Sequence, residues 1–252
     1  MNKAIKTGGI VLGIILAAAL IIFIFFPGLP VYVTAKSKYK DVNRTVPDFE
    51  TAEVPADFKS YSLKGVSFKV PADWEGNSPF VDGTVTSYRS PDEKGRISVI
   101  KNDRASYDLI QNSEDKQEFG YWEGYRYSED DYRHFFDKLG CEYPDLWFEE
   151  WFVWLHRDGF TAKDCLKLRG KDMKVFKELA AGKSSCFKLE EPWRLDGDDF
   201  YGYVGISSMG KGSRLWNFCI VPNGCGDTYY NVMVKCEDET TARQIISSVR
   251  LK

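Results

Sequence analysis

Histidine is almost missing from this chain: His134 and His156 are the only two in 252 residues, so a site built from several imidazole ligands is excluded. The six cysteines include no C-x-x-C pair, which removes the spacing of zinc ribbons and thioredoxin-type redox motifs. Charge of one sign is lacking too. A formal net charge of −3 argues against a protein that works by gripping nucleic-acid backbones. No internal repeat is visible, which sets solenoids and propellers aside. The first cysteine is Cys141, too far from the start to carry an N-terminal lipid. What is present suits a packed core: hydrophobic residues make up 43% and charged residues 28%, a balance that excludes wholesale disorder. The aromatic share of 15% means that much of the core is aromatic or that aromatic surface meets a partner.

Residues 8–26 carry no charge, and roughly 19 residues at 1.5 Å each nearly cross a bilayer core, so this segment reads as a transmembrane signal anchor. Residues 1–7 form a short basic N-tail with Lys3 and Lys6. The competing reading is a cleaved secretion signal ending near Val33-Thr34-Ala35, but the apolar run exceeds the usual length of about 7–15 residues. Lys36, Lys38 and Lys40 behind the helix leave the positive-inside comparison ambiguous. A short basic tail before an apolar run has the layout of an export signal, and so favours an extracytoplasmic C-terminal part. Residues 27–57, with Pro27, Pro30, Pro47 and Pro55, read as a flexible tether.

The rest, 58–252, shows two periods. Val66, Phe68 and Val70 alternate with polar residues after the turn Lys64-Gly65, and 85–89 and 96–101 flank the turn 91–95, as strands do. A central segment of about 128–182 is helical. Ser128 and Asp131 can cap a helix to Leu139, Gly140 stops it, 146–156 follows, and Thr161 with Asp164 opens a short third. Asp172 caps a fourth over 173–181, stopped by Gly182. Period two returns at 184–189, 200–207, 214–221 and 229–236, and a helix over 238–248 places Ala242, Ile245, Ile246 and Val249 on one face. This order predicts an α+β fold, an antiparallel sheet covered by helices, after one N-terminal transmembrane helix.

Phe68-Lys69-Val70-Pro71-Ala72-Asp73-Trp74 resembles the F-x-V-P-x-x-W opening of domains similar to PsbP, the photosystem II extrinsic subunit. A strand over 229–234 followed by Thr241 to Val249, with Ile245-Ile246-Ser247-Ser248, is similar to the closing strand and helix of that fold. The resemblance covers about 60–252 and implies a PsbP-like α/β/α sandwich. It hands over no site residue and does not imply photosynthesis.

Candidate chemistry is sparse. Gly205 to Gly212 approaches a phosphate loop, but Gly212 stands where Ser or Thr should bind the metal and a strand follows, so a hairpin is expected. An even cysteine count in an exported domain permits disulfides, with 15 full pairings; Cys225, between two glycines, would be the most exposed thiol. Cys141 with His134 could form a thiolate dyad, set against a solvated helix histidine. Ser185 and Lys188 match S-x-x-K without its companion signatures. Asp196, Asp198 and Asp199 could offer oxygens to calcium but lack the later glutamate of an EF-hand, and Asn43-Arg44-Thr45 is a glycosylation sequon.

The most unusual stretch is 146–155, where Trp147, Trp151 and Trp154 share one helical stripe. It reads as a helix packed on the sheet or as a ligand or partner contact. With no acid, base and nucleophile constellation, the sequence suggests a membrane-tethered extracytoplasmic non-catalytic binding or accessory domain. A surface thiol-dependent enzyme and a structural component of an envelope assembly are the alternatives. The expected partners are the membrane, through the N-terminal helix, and a protein or small ligand, with no nucleic acid, metal or cofactor.

Overall fold

The computed structural model describes residues 3–78, 83–105, 127–141, 143, 153–155, 159–189, 191–208, 214–224 and 226–252. The chain divides into a helical unit, Met1–Arg44 with Glu123–Pro144 and Phe160–Ser184, and a sheet unit, Thr45–Trp122 with Asp145–Gly159 and Ser185–Lys252.

In the helical unit α1 spans Lys3–Phe25 and α2 spans Leu29–Lys38, followed by a 3-10 turn, Lys40–Asn43. The transmembrane anchor read over 8–26 is corrected: among the described residues, no helix is long and apolar enough to cross a membrane. The membrane partner, the single-pass localisation, the extracytoplasmic orientation and the tethered function all require such a span and fall with it. Leu12, Ile14, Leu16 and Leu20 are each at least 60% exposed, so the described part of α1 adds nothing to the core.

The stretch read as a tether holds α2, with Pro30 in its first turn, where the missing N–H costs nothing. Gly28 sits against the 3-10 helix Ala162–Lys167: a Cβ there would run into the Cys165 carbonyl oxygen, and the Cys165 thiol donates to the Gly28 oxygen at 3.5 Å. Asn43 of the sequon accepts from the Ala162 N–H at 2.8 Å.

Helix α3, Glu129–Leu139, begins with the expected box, Ser128 and Asp131 satisfying each other's end of the first turn, and stops at a left-handed Gly140. Phe135, Phe160 and Phe176 pack ring to ring at 5.8 and 5.1 Å. Helix α4, Gly170–Leu189, runs through Gly182, and the strand expected at 184–189 is absent. Phe176, Leu179, Ala180, Lys183, Ser184 and Phe187 are buried at helical spacing, so tertiary burial overrides the local stop signal. A Cβ at Gly182 would meet nothing within 4 Å. Gly182→Ala should therefore raise the unfolding free energy by about 0.5–1 kcal/mol, read as a higher urea midpoint. A lower midpoint would show that the glycine serves a need other than helix continuity.

The sheet unit is α+β with two antiparallel sheets. One holds β1 (Lys59–Leu63), β2 (Val66–Val70) and β10 (Arg250–Leu251), ordered β1-β2-β10. Lys64 and Gly65 join the first two strands, both at positive φ as a type I′ hairpin requires. The other sheet holds β3 (Glu75–Asn77), β4 (Ser87–Arg89), β5 (Arg96–Asp103), β6 (Trp193–Arg194), β7 (Phe200–Ser208), β8 (Arg214–Pro222) and β9 (Thr228–Lys235), ordered β3-β4-β5-β9-β8-β7-β6. Registers such as Ile97↔Val234 and Val204↔Phe218 line up one apolar face. On it Trp216, Phe218, Ile220, Val232 and Val234 meet Val66, Phe68 and Val70 of the small sheet and Ile245 and Ile246 of α5, Glu239–Ser247. Asp238 caps α5 by accepting from the Thr241 N–H at 2.8 Å. The opposite face carries Tyr203, Cys219, Val221 and Tyr229, covered by Val153.

Candidate functional site

Two turns of chain chemistry meet in the helical unit. His134 and Lys138 stand four apart on α3 and so project from one face. Lys167 ends the 3-10 helix, Arg169 follows the extended Leu168, and Gly170, Lys171 and Asp172 begin α4. These seven residues line a pocket of about 520 Å³. Four lining cations, Lys138, Lys167, Arg169 and Lys171, face one carboxylate. The pocket also lies at the first turn of a 20-residue helix, where unpaired N–H groups and the helix dipole favour negative charge.

The polar wiring is specific. Asp172 is 6% exposed, and its Oδ2 lies 3.5 Å from His134 Nε2. Lys171 Nζ reaches Asp131 Oδ1 at 2.7 Å; that bond, with the Ser128 hydroxyl and amide, holds the Asp131 carboxyl down to about 2. Lys167 pairs with Asp164 at 3.7 Å. Lys138 and Arg169 make no ion pair among the described residues. The arrangement can hold an anion through a guanidinium fork, an ammonium and helix N–H groups. The pocket lining holds no serine, threonine or cysteine that His134 could activate.

The residues singled out from sequence scatter elsewhere. Trp147, Trp151, His156 and Cys225 lie outside the described residues. Trp154 is half-buried in a helical turn between the buried Val153 and Leu155. His134 pairs with Asp172, and no hydrogen bond joins it to Cys141, which is exposed. Cys141, Cys165 and Cys236 form no disulfide. Burial, helped by Asp164, pushes the Cys165 thiol up to about 11, and burial raises Cys236 as well. That is the opposite of an activated thiolate, so the thiol-dependent enzyme has no support from them. Strands β7 and β8 pair out to Ser208↔Arg214, so a strand follows the glycine-rich run, whose residues 209–213 lie outside the described residues. Ser185 and Lys188 are exposed on α4. Asp196 pairs with Arg194 at 3.8 Å, and among the described residues no group of three or more His, Cys, Asp or Glu could hold a metal ion. The basic side of the pocket was missed, although Lys167-Leu168-Arg169-Gly170-Lys171, cations alternating up to a helix start, was a readable signal.

No protein-family model matches the chain, and no curated protein matches it. The chain is similar to the solution structure of cyanobacterial PsbP (CyanoP) from Synechocystis sp. PCC 6803, at 13% identity and a TM-score of 0.31, over 79% of this chain and 94% of that one. A likeness of that degree supports neither a shared fold nor a shared function. The membrane-anchored PsbP-like protein suggested by the sequence also loses its anchor, for want of a spanning helix among the described residues.

Proposed function

We propose that this protein is a non-catalytic binding protein for a small anionic ligand, held in the pocket at the start of α4. The observation that carries the reading is the pair Lys138 and Arg169, without ion-pair partners among the described residues and set beside the N–H groups of a long helix. Lys167 and Lys171 already have Asp164 and Asp131, so they contribute less to the local potential. The cavity of about 520 Å³ falls within the range of small-molecule sites. Asp172, the lining carboxylate, is engaged with His134 and serves to hold the imidazole at the rim.

The test is calorimetric titration of the full chain with inorganic phosphate, a phosphomonoester and a dicarboxylate at low and high salt. Saturable binding of at least one is expected, weakened by salt. Arg169→Gln should lower the affinity about tenfold, which is about 1.4 kcal/mol. Absence of saturable binding for all three, or an Arg169→Gln variant with unchanged affinity, would sink the proposal.

A further inference from the structure

The edge of the larger sheet carries a second, independent feature. Strand β6 pairs with β7 on one side, and on its outer side it receives residues 47–49 of the chain itself. The Phe49 N–H donates to the Arg194 oxygen at 2.7 Å, the Arg194 N–H donates to the Pro47 oxygen at 2.8 Å, and Asp48 stands opposite Arg194 in a parallel bridge. The Arg194 guanidinium grips Asp48 Oδ1 with Nε and Nη2, each at 2.8 Å. This is strand addition to an open sheet edge, the mode by which extended peptides are commonly recognised, here made within one chain.

Phe49 then drops into an aromatic box. Its ring lies edge-on to Trp193 at 6.3 Å and to Trp216 at 6.4 Å, and those two indoles stack at 6.0 Å. The Arg243 guanidinium carbon is 5.3 Å from the Phe49 ring centre and 5.4 Å from that of Trp216. Two donors of the box, Trp216 Nε1 and Arg243 Nη1, are buried without a hydrogen-bond partner, and Trp216 is 0% exposed. Such donors cost free energy unless an acceptor meets them. Phe49 supplies a ring but no acceptor, so it leaves part of the site's capacity unused. The strap is held by two main-chain bonds at the edge, one from the Ala52 N–H to Ser247 Oγ at 2.9 Å, an ion pair whose Asp48 side chain is 74% exposed, and above all by the Phe49 ring, itself only 5% exposed.

We propose that the β6 edge and the Trp193, Trp216 and Arg243 box form a peptide-docking groove occupied by the protein's own Pro47-Asp48-Phe49, and that its partner is an extended segment of another protein in which an acidic residue directly precedes an aromatic one. The acid takes the Arg194 fork, the aromatic ring takes the box, and the partner's main chain replaces the two bonds to Arg194. The internal segment competes at the high local concentration of a short linker, so the groove opens only to a partner that outcompetes it.

The probe is a labelled, end-blocked peptide with the sequence of residues 45–53, titrated into the full chain and followed by anisotropy. The Asp48→Ala, Phe49→Ala double variant is expected to bind it at least tenfold more tightly than the wild-type chain does. A peptide carrying alanine at both positions should lose that binding. Asp48→Ala alone, a change at an exposed side chain that leaves the core untouched, should still gain about threefold, and it serves if the double variant does not fold. No gain in a folded variant overturns the groove. A wild-type dimer that the peptide dissociates would assign the groove to a second copy and overturn the partner stated here.

Discussion

Trp216→Ala is expected to lower the unfolding free energy of the sheet unit by about 3–5 kcal/mol, among the largest effects of any single substitution. Trp216 is 0% exposed in β8, paired opposite Val234 of β9 and Ile206 of β7. Its loss would open a cavity beside Trp193 and Phe49 and leave the Arg243 guanidinium, 5.4 Å from the ring centre, facing a void. Trp216→Phe gives the contrast: Nε1 has no partner to lose, so the cost falls to the change in shape and volume, under about 2 kcal/mol. Denaturant melts of both variants measure the difference. Equal midpoints for alanine and wild type would mean that this face of the sheet is not packed as described.

Lys183→Met should instead stabilise the protein at neutral pH. Lys183 is 5% exposed on α4, its ammonium donates to the Phe160 oxygen at 3.4 Å, and burial pulls its pKa down from 10.5 to about 8. A folded value below the unfolded one means that the native chain holds fewer protons between those two pH values. Unfolding then takes up a proton, and stability rises with pH from about 8 to 10.5, while below about 8 the penalty is present in full. The displacement corresponds to about 3 kcal/mol. Methionine keeps the unbranched length without the charge, and the lost bond to Phe160 offsets about 1 kcal/mol. A net gain of about 2 kcal/mol is expected at pH 7, shrinking above about pH 8 and turning into a loss of about 1 kcal/mol by pH 10.5, where only the missing bond to Phe160 is left. A variant that is less stable at pH 7, or a difference that does not change with pH, would contradict this account.

The strands were legible because a half-exposed sheet writes period two into the chain and its turns carry glycine: β2, β5, β7, β8 and β9 fall where alternation placed them. Helix starts were legible at Ser128, Thr161 and Asp238, where a short polar side chain can meet an N–H two or three residues on. The course of α4 was not. Gly182 is a stop signal only when nothing beyond it needs burying, and Lys183, Ser184 and Phe187 are buried. Uncharged length over 8–26 suggests an anchor, yet among the described residues no helix is long and apolar enough to cross a membrane. The pocket was half legible, since His134 and Lys138 share a helix face by spacing. That Arg169 and Asp172 come to meet them depends on how α3 and α4 pack, for which the sequence carries no local mark. The box around Arg243 was hidden for the same reason, because it gathers Phe49, Trp193 and Trp216 from three distant stretches.

The contacts that close each unit are also far apart in time. Gly28 meets Cys165 across 137 residues, and the Ser67 hydroxyl meets the Arg250 oxygen across 183. At synthesis rates of about 5–20 residues per second, the first pair waits roughly 7–27 s and the second roughly 9–37 s. Throughout that interval α2 lacks its 3-10 partner and β2 lacks its β10 neighbour, so apolar faces of both units stand open while the chain is still being made. The yield of native protein then depends on how well those faces are shielded during translation, and slowing the ribosome should increase losses to aggregation where it would help a chain built from local contacts.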